Sequence, residues 1–179
     1  MSNGETDLRQ PTLVGSLLRI DPTRAGDLEG LCAAASDPLI WEQHPARDRW
    51  KREVYEKVFE GQLASGGGVT VRELSSGEII GASRYYGWNP AERQVSIGFT
   101  FLVRRCWGSG FNHEMKRLML EHAFRYVDRV WFHIGVNNQR SRKAIGAIGA
   151  KFDREIMNDP AWNGVSMAYY YIDKPQHAA

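Results

Sequence analysis

The chain lacks most of the features that mark a specialised class of protein. Only two of its 179 residues are cysteine, Cys32 and Cys106, and they offer neither a disulfide framework nor a zinc spacing. No apolar run reaches the roughly 20 residues that cross a bilayer, and no signal-peptide or myristoylation pattern stands at Met1-Ser2-Asn3. The formal net charge is only +2, with basic residues scattered among acidic ones, which argues against a nucleic-acid partner. Two phosphate-binding signatures are missing as well. A dinucleotide fingerprint would need glycine where His113 stands, and no Gly-Lys-Ser/Thr ending supplies a Walker loop. What remains is an ordinary globular composition, 42% hydrophobic and 25% charged, long enough for one domain with a substantial core. The expectation is a cytoplasmic protein without metal, nucleic acid or membrane.

What is present is organised around residues 103–112. Val95, Ile97, Phe99 and Phe101 alternate with Gln94, Ser96, Gly98 and Thr100, the period of a strand packed on one face. Downstream, Met115, Leu118, Met119, Leu120, Ala123 and Phe124 recur at helical spacing, with Glu114, Lys116, Arg117, Glu121 and Arg125 as the polar face. Between them lie Gly108 and Gly110. Glycine can take left-handed angles and turn backbone N–H groups inward at a helix N-terminus, where the dipole favours a pyrophosphate.

Taken in order, residues 1–11 read as a polar frayed tail and Leu13 to Ile20 as a strand. Asp21-Pro22-Thr23 precedes a helix from about Arg24, with Leu28, Leu31 and Cys32 inward, ending at Ser36-Asp37-Pro38. A second helix is expected from about Arg47 to Leu63, with Trp50, Val54, Val58 and Leu63 near one side. Strands follow at Val69 to Leu74 and Ile79 to Tyr86, joined through Ser75-Ser76-Gly77. After the central helix come a strand from Arg129 to Val136, a short helix opened by Asn138-Gln139-Arg140-Ser141, and two strands, to Met157 and from Val165 to Ile172. No repeat or linker appears, so one mixed α/β domain is expected over 12–173, with 174–179 as a second tail.

The loop Arg105-x-x-Gly108-x-Gly110 resembles the Q/R-x-x-G-x-G/A acyl-CoA pyrophosphate loop of the GNAT superfamily of N-acyltransferases. The Asn138-x-x-Ser141 start, Ile145 and the Gly149-Ala150-Lys151-Phe152 ending resemble the second half of that core. The likeness spans roughly 12–173 and is closest to the branch of ribosomal-protein N-terminal acetyltransferases, RimJ and RimL among them. It implies a central, mostly antiparallel sheet with helices on both faces and two parallel strands that splay apart around the pantetheine arm. It also implies acetyl-CoA as cosubstrate and an amine acceptor, either a peptide N-terminus or a small molecule; a homodimer is an allowed assembly. Val103, Arg105, Trp107, Gly108, Ser109, Gly110, Phe111, Asn112, Asn138 and Ser141 become the expected acyl-CoA contacts.

An alkyl ammonium with pKa near roughly 10 must lose a proton before it attacks a thioester, so a base or a water chain is required. Many relatives carry glutamate just before the Ile-Gly step, where this chain has Ser96, a residue that can order water but not hold a proton. His133, on the strand face opposite Val130, Phe132, Ile134 and Val136, is an alternative base. Ser141 is placed by the resemblance near the thioester sulfur, while Asn138 also reads as a helix N-cap. Tyr85, Tyr86, Trp88, Asp159 and Trp162 border the acceptor pocket by the same comparison. Cys106 reads as a small loop residue, since no partner is placed to make it a nucleophile. The loss of the carboxylate at position 96 leaves a CoA-binding regulatory module as the alternative function, and a nucleotide-binding domain as a weaker third.

Overall fold

A computed structural model of the chain describes residues 3–176. Helix α1 (Asn3–Arg9) leads into a short hairpin of β1 (Leu13–Val14) and β2 (Leu18–Pro22). Helices α2 (Leu28–Ala35) and α3 (Arg52–Ala64) follow, then β3 (Gly68–Glu73), β4 (Ile79–Asn89) and β5 (Gln94–Leu102). The second half runs α4 (Phe111–Ala123), β6 (Arg129–Gly135), α5 (Gln139–Gly146), β7 (Lys151–Asp159) and β8 (Val165–Asp173). One eight-stranded sheet takes the order β1-β2-β3-β4-β5-β6-β8-β7, and it is antiparallel except where β5 meets β6.

Each face of the sheet has its own core. Val69, Val71, Tyr85, Ile97 and Phe132 pack with Met115, Met119 and Ala123 of α4. Ala82 and Phe101 pack with Leu31, Ala35, Tyr55 and Phe59 of α2 and α3. This is the mixed α/β architecture expected from the order of elements.

Several local expectations need correction. Residues 1–11 were expected to fray, yet Asn3–Arg9 is helical and its Leu8 is fully buried. The carbonyls of Asp7 and Leu8 lie 3.1 Å from His122 Nε2 on α4. Residues 1–2 and 177–179 lie outside the described residues. The expected single strand Leu13 to Ile20 is a hairpin. Helix α3 begins at Arg52, and it buries Tyr55, Phe59 and Gln62, while Trp50 lies outside it and is exposed. The aromatic rings, not the valines, set the buried face because they fill the space beneath Trp41 and Phe101. On α4 the expected polar residues Glu114 and Lys116 are buried.

The feature that makes the site is an irregularity in β5. Ala82 pairs with Phe101 and Arg84 with Gly98, so Phe99 and Thr100 together oppose Ser83. An extra residue of this kind bends its strand and increases the twist. Phe99 takes φ +53 there, and Ser83 Oγ lies 2.7 Å from Thr100 Oγ1. Pairing of β5 with β6 is confined to Gln94↔Arg129, Val95↔Val130 and Ser96↔Trp131, beyond which the two parallel strands diverge.

Candidate active site

The divergence of β5 and β6 opens a cleft of about 760 Å³. Ile97 to Leu102 form one wall, Phe132 to Gly135 the other, and Gly108, Asn112, Asn138 and Ser141 come from the helix ends beyond. At the N-terminus of α4, Gly108 and Gly110 have φ +72 and +88, the left-handed region where a Cβ would be strained. The first intrahelical bond runs from Glu114 N–H to the Gly110 carbonyl at 2.9 Å, which leaves the preceding amides as the open donors of the helix end. A Cβ built on Gly108 would meet no atom within 4 Å. The donor set and the free space together suit an anionic group.

Other residues of the loop also contact the scaffold. The Arg105 guanidinium pairs with Glu73 at 3.0 Å and Glu78 at 2.8 Å on the β3–β4 hairpin. Val103 and Phe111 are partly buried against the core, and Ser109 is exposed. Burial pushes the Cys106 thiol up, despite Arg105 beside it. Trp107 lines the cleft; its Nε1 donates to the Leu102 carbonyl at 2.9 Å, and the Arg140 guanidinium stacks 4.3 Å from its ring.

Two charged residues of α4 explain how the loop is fixed and how the cleft is floored. Glu114 accepts from Ser16 N–H at 2.8 Å, Ser16 Oγ at 2.6 Å, Leu17 N–H at 2.8 Å and Leu18 N–H at 3.1 Å, tying the β1–β2 turn to the helix start. Burial pushes its carboxyl up, but those hydrogen bonds outweigh it and hold the pKa below the usual range. Lys116 lines the cleft and donates to Thr100 Oγ1 at 2.7 Å. With no carboxylate beside it, burial lowers its pKa to about 7.

At the other end, aromatic rings surround His133. Its Nδ1 shares a 2.8 Å hydrogen bond with the Tyr86 hydroxyl, and its ring lies 4.5 Å from Tyr169 and 5.5 Å from Trp162. Burial, then Arg154, lowers its pKa to about 4, against Asp159, so the imidazole is neutral at pH 7. Burial likewise holds the Tyr86 phenol protonated, against a hydrogen bond from Ser96. Gly98 makes room for this phenol, since a Cβ there would stand 2.9 Å from the Tyr86 ring. Ser96 is itself buried, beside Tyr86 and outside the cleft lining. Asn138 caps α5, accepting from Ser141 N–H at 3.2 Å. Both residues line the cleft.

Of the remaining acceptor candidates, Tyr86 and Trp162 line the cleft. Tyr85 does not; alternation along β4 sends it to the opposite face, where its hydroxyl donates to the Met119 carbonyl at 2.8 Å. Trp88 packs against the main core, and Asp159 is buried, accepting from the Tyr169 hydroxyl and from Ala161 N–H. Sequence reasoning missed Arg140 and Lys116. Arg140 stood inside the Asn138-x-x-Ser141 motif, whereas nothing local distinguished Lys116 from a solvated lysine.

A family model described as acetyltransferase (GNAT) domain matches residues 18–151, three quarters of the chain. The chain belongs to the GNAT acetyltransferase family. The matched stretch carries the β5 irregularity, the glycine loop and Asn138-x-x-Ser141. Solved GNAT structures share the fold. A GCN5-related N-acetyltransferase from Brucella melitensis superposes with TM-score 0.78 at 18% identity, over 92% of this chain and 79% of that one. A GNAT-family acetyltransferase from Bacillus anthracis gives 0.74 at 16%, over 91% and 98%. RimJ of Mycobacterium smegmatis, in complex with CoA-disulfide, gives 0.70 at 16%, over 89% and 84%. No curated protein matches the chain. Among the described residues of this GNAT domain, no group of His, Cys, Asp and Glu could hold a metal ion, and no helix is long and apolar enough to cross a membrane.

Proposed function

We propose that this GNAT protein transfers an acetyl group from acetyl-CoA directly to a primary amine, and that the amine is a peptide or protein N-terminus. The observation that carries the reading is the cleft between diverging β5 and β6, open at one end onto the glycine loop and closed at the other by Tyr86, His133 and Trp162. Acetyl-CoA supplies the acetyl group as a thioester. The N-terminal amides of α4, shaped by Gly108 and Gly110, hold its pyrophosphate, and Asn112, Asn138 and Ser141 line the path inward. Ser141 donates a hydrogen bond to the departing thiolate. The RimJ neighbour bound to CoA-disulfide supports the same use of this fold.

The acceptor follows from proton chemistry. No carboxylate lines the cleft among the described residues, and His133, held near pKa 4, accepts a proton only weakly at neutral pH. The lining base nearest neutrality is Lys116, lowered to about 7, which is matched to an amine of pKa roughly 8 and not to one of roughly 10.4. An acceptor that is already partly neutral is therefore favoured. α-Amines, with pKa roughly 8, meet this condition, whereas lysine ε-amines near roughly 10.4 do not. The neutral His133 and the protonated Tyr86 orient the incoming nitrogen, and its proton leaves through water in the cleft. The likeness to the RimJ and RimL branch points the same way. Mass spectrometry of a peptide that carries both a free N-terminus and a lysine tests the reading: modification should fall mainly on the N-terminus, and predominant lysine acetylation would overturn it. The second reading, a CoA-binding module without efficient catalysis, is favoured by the buried Ser96 in place of a carboxylate. It predicts acetyl-CoA binding without thiol release on any amine.

A further inference from the structure

Most arginines of this chain are neutralised by a carboxylate, as in Arg72 with Asp27, Arg93 with Asp128, Arg104 with Asp37, Arg129 with Asp173 and Arg142 with Glu155. Arg49 and Arg84 are different. Among the described residues neither forms an ion pair, Asp48 acting on Arg49 only at longer range, and the Nε of each is sealed from solvent without a hydrogen-bond acceptor. Leaving such donors buried and unmet is costly.

Arg49 lines the cleft, and Arg84 stands behind Phe99, just outside the lining. Arg49, from the loop before α3, stands beside Trp41 and His44, its guanidinium 5.7 Å from the Trp41 ring. Arg84 lies against the Phe99 face, 4.2 Å from the centroid, and Phe99 in turn contacts Tyr86 and Trp162. Stacking on aromatic faces offsets part of the desolvation but supplies no acceptor in the guanidinium plane, so the buried Nε–H of each stays unmet. His44 adds a further donor. Its Nδ1 accepts from Ala46 N–H at 2.9 Å, so the proton of the neutral ring sits on Nε2. Burial lowers the pKa of all three groups, and the positive field of Arg49 acts on both His44 and Arg84.

We infer that Arg49 and Arg84 form an anion-binding corner, and that the acceptor bears a carboxylate in addition to the amine that is acetylated. A planar guanidinium pairs with a carboxylate through two parallel hydrogen bonds, the partner that both side chains lack. The inference rests on the acetyltransferase reading and names its substrate class. The carboxylate comes either from an acidic side chain near a peptide N-terminus or from a free amino acid.

Calorimetry on protein saturated with CoA separates these sources. One arm compares an amidated tripeptide with aspartate at its second position against the asparagine peptide; the other compares glutamate with glutamine diamide. The carboxylate member of at least one pair should bind at least about tenfold tighter. That ratio should fall below about threefold in Arg84→Met and Arg49→Met and be partly regained in Arg84→Lys. Ratios within about threefold of unity in both arms, or a preference that survives both methionine variants, would overturn the inference. Titration of the same variants with acetyl-CoA keeps the two levels apart. Failure of wild-type protein to bind acetyl-CoA sinks the acetyltransferase reading, whereas normal acetyl-CoA binding without carboxylate preference sinks only the corner.

Discussion

Replacing Lys116 by Met should make the protein more stable at neutral pH. The amine is buried, has Thr100 as its one hydrogen-bond partner among the described residues and the Phe132 ring 5.8 Å away, and its pKa is lowered from 10.5 to about 7. The unfolded chain holds its proton until about pH 10.4, so between those values the unfolded state binds more protons and stability rises with pH. At pH 7 the lowered pKa costs about 4 kcal/mol, and at pH 10 only about 1 kcal/mol. Methionine fills the same channel without charge, but the hydrogen bond to Thr100 is lost, worth about 1 kcal/mol. The variant should therefore gain about 3 kcal/mol at pH 7 and come close to parity at pH 10. Urea unfolding at the two pH values measures the difference. A variant destabilised equally at both would show that the amine is charged and paired in the native state, refuting the reasoning.

Glu114→Ala should cost about 3 kcal/mol or more, because the Ser16, Leu17 and Leu18 amides lose their acceptor. The carboxyl pKa is depressed on folding, so this stability is present above about pH 4.3 and lost as pH falls through the folded value; acid titration of wild type and variant should converge at low pH. Ser141→Ala should lower turnover while acetyl-CoA affinity stays nearly constant. An unchanged turnover number in a folded variant removes its role at the thiolate.

The strand, glycine loop and helix were legible because periodicity and glycine placement are local signals: Val95, Ile97 and Met115 take the core positions their spacing implies. The left-handed glycines at 108 and 110 follow from the same logic. What stayed hidden depends on partners distant in sequence. Glu114 reads as a surface residue until Ser16, Leu17 and Leu18 are folded over it. Lys116 reads as solvated until the splay places Thr100 above it. Phe99 fits the strand alternation in sequence, but the irregularity opposite Ser83 turns it into the cleft. Arg105 matched a motif position, yet Glu73 and Glu78 on another hairpin claim its charge. The Arg49 and Arg84 corner is defined by ion pairs that neither side chain makes among the described residues, which spacing along a chain does not reveal.

The central claim, that the glycine loop holds the pyrophosphate of acetyl-CoA, is tested most directly by calorimetry of acetyl-CoA with Gly108→Asp. Aspartate tolerates left-handed angles better than most residues, and the added Cβ meets no atom within 4 Å, so the fold should survive while a carboxylate enters the cradle. Acetyl-CoA binding should be abolished in a protein that still folds cooperatively, destabilised by about 1 kcal/mol by the left-handed angle. Binding within about threefold of wild type, less than about 0.7 kcal/mol, would contradict the account.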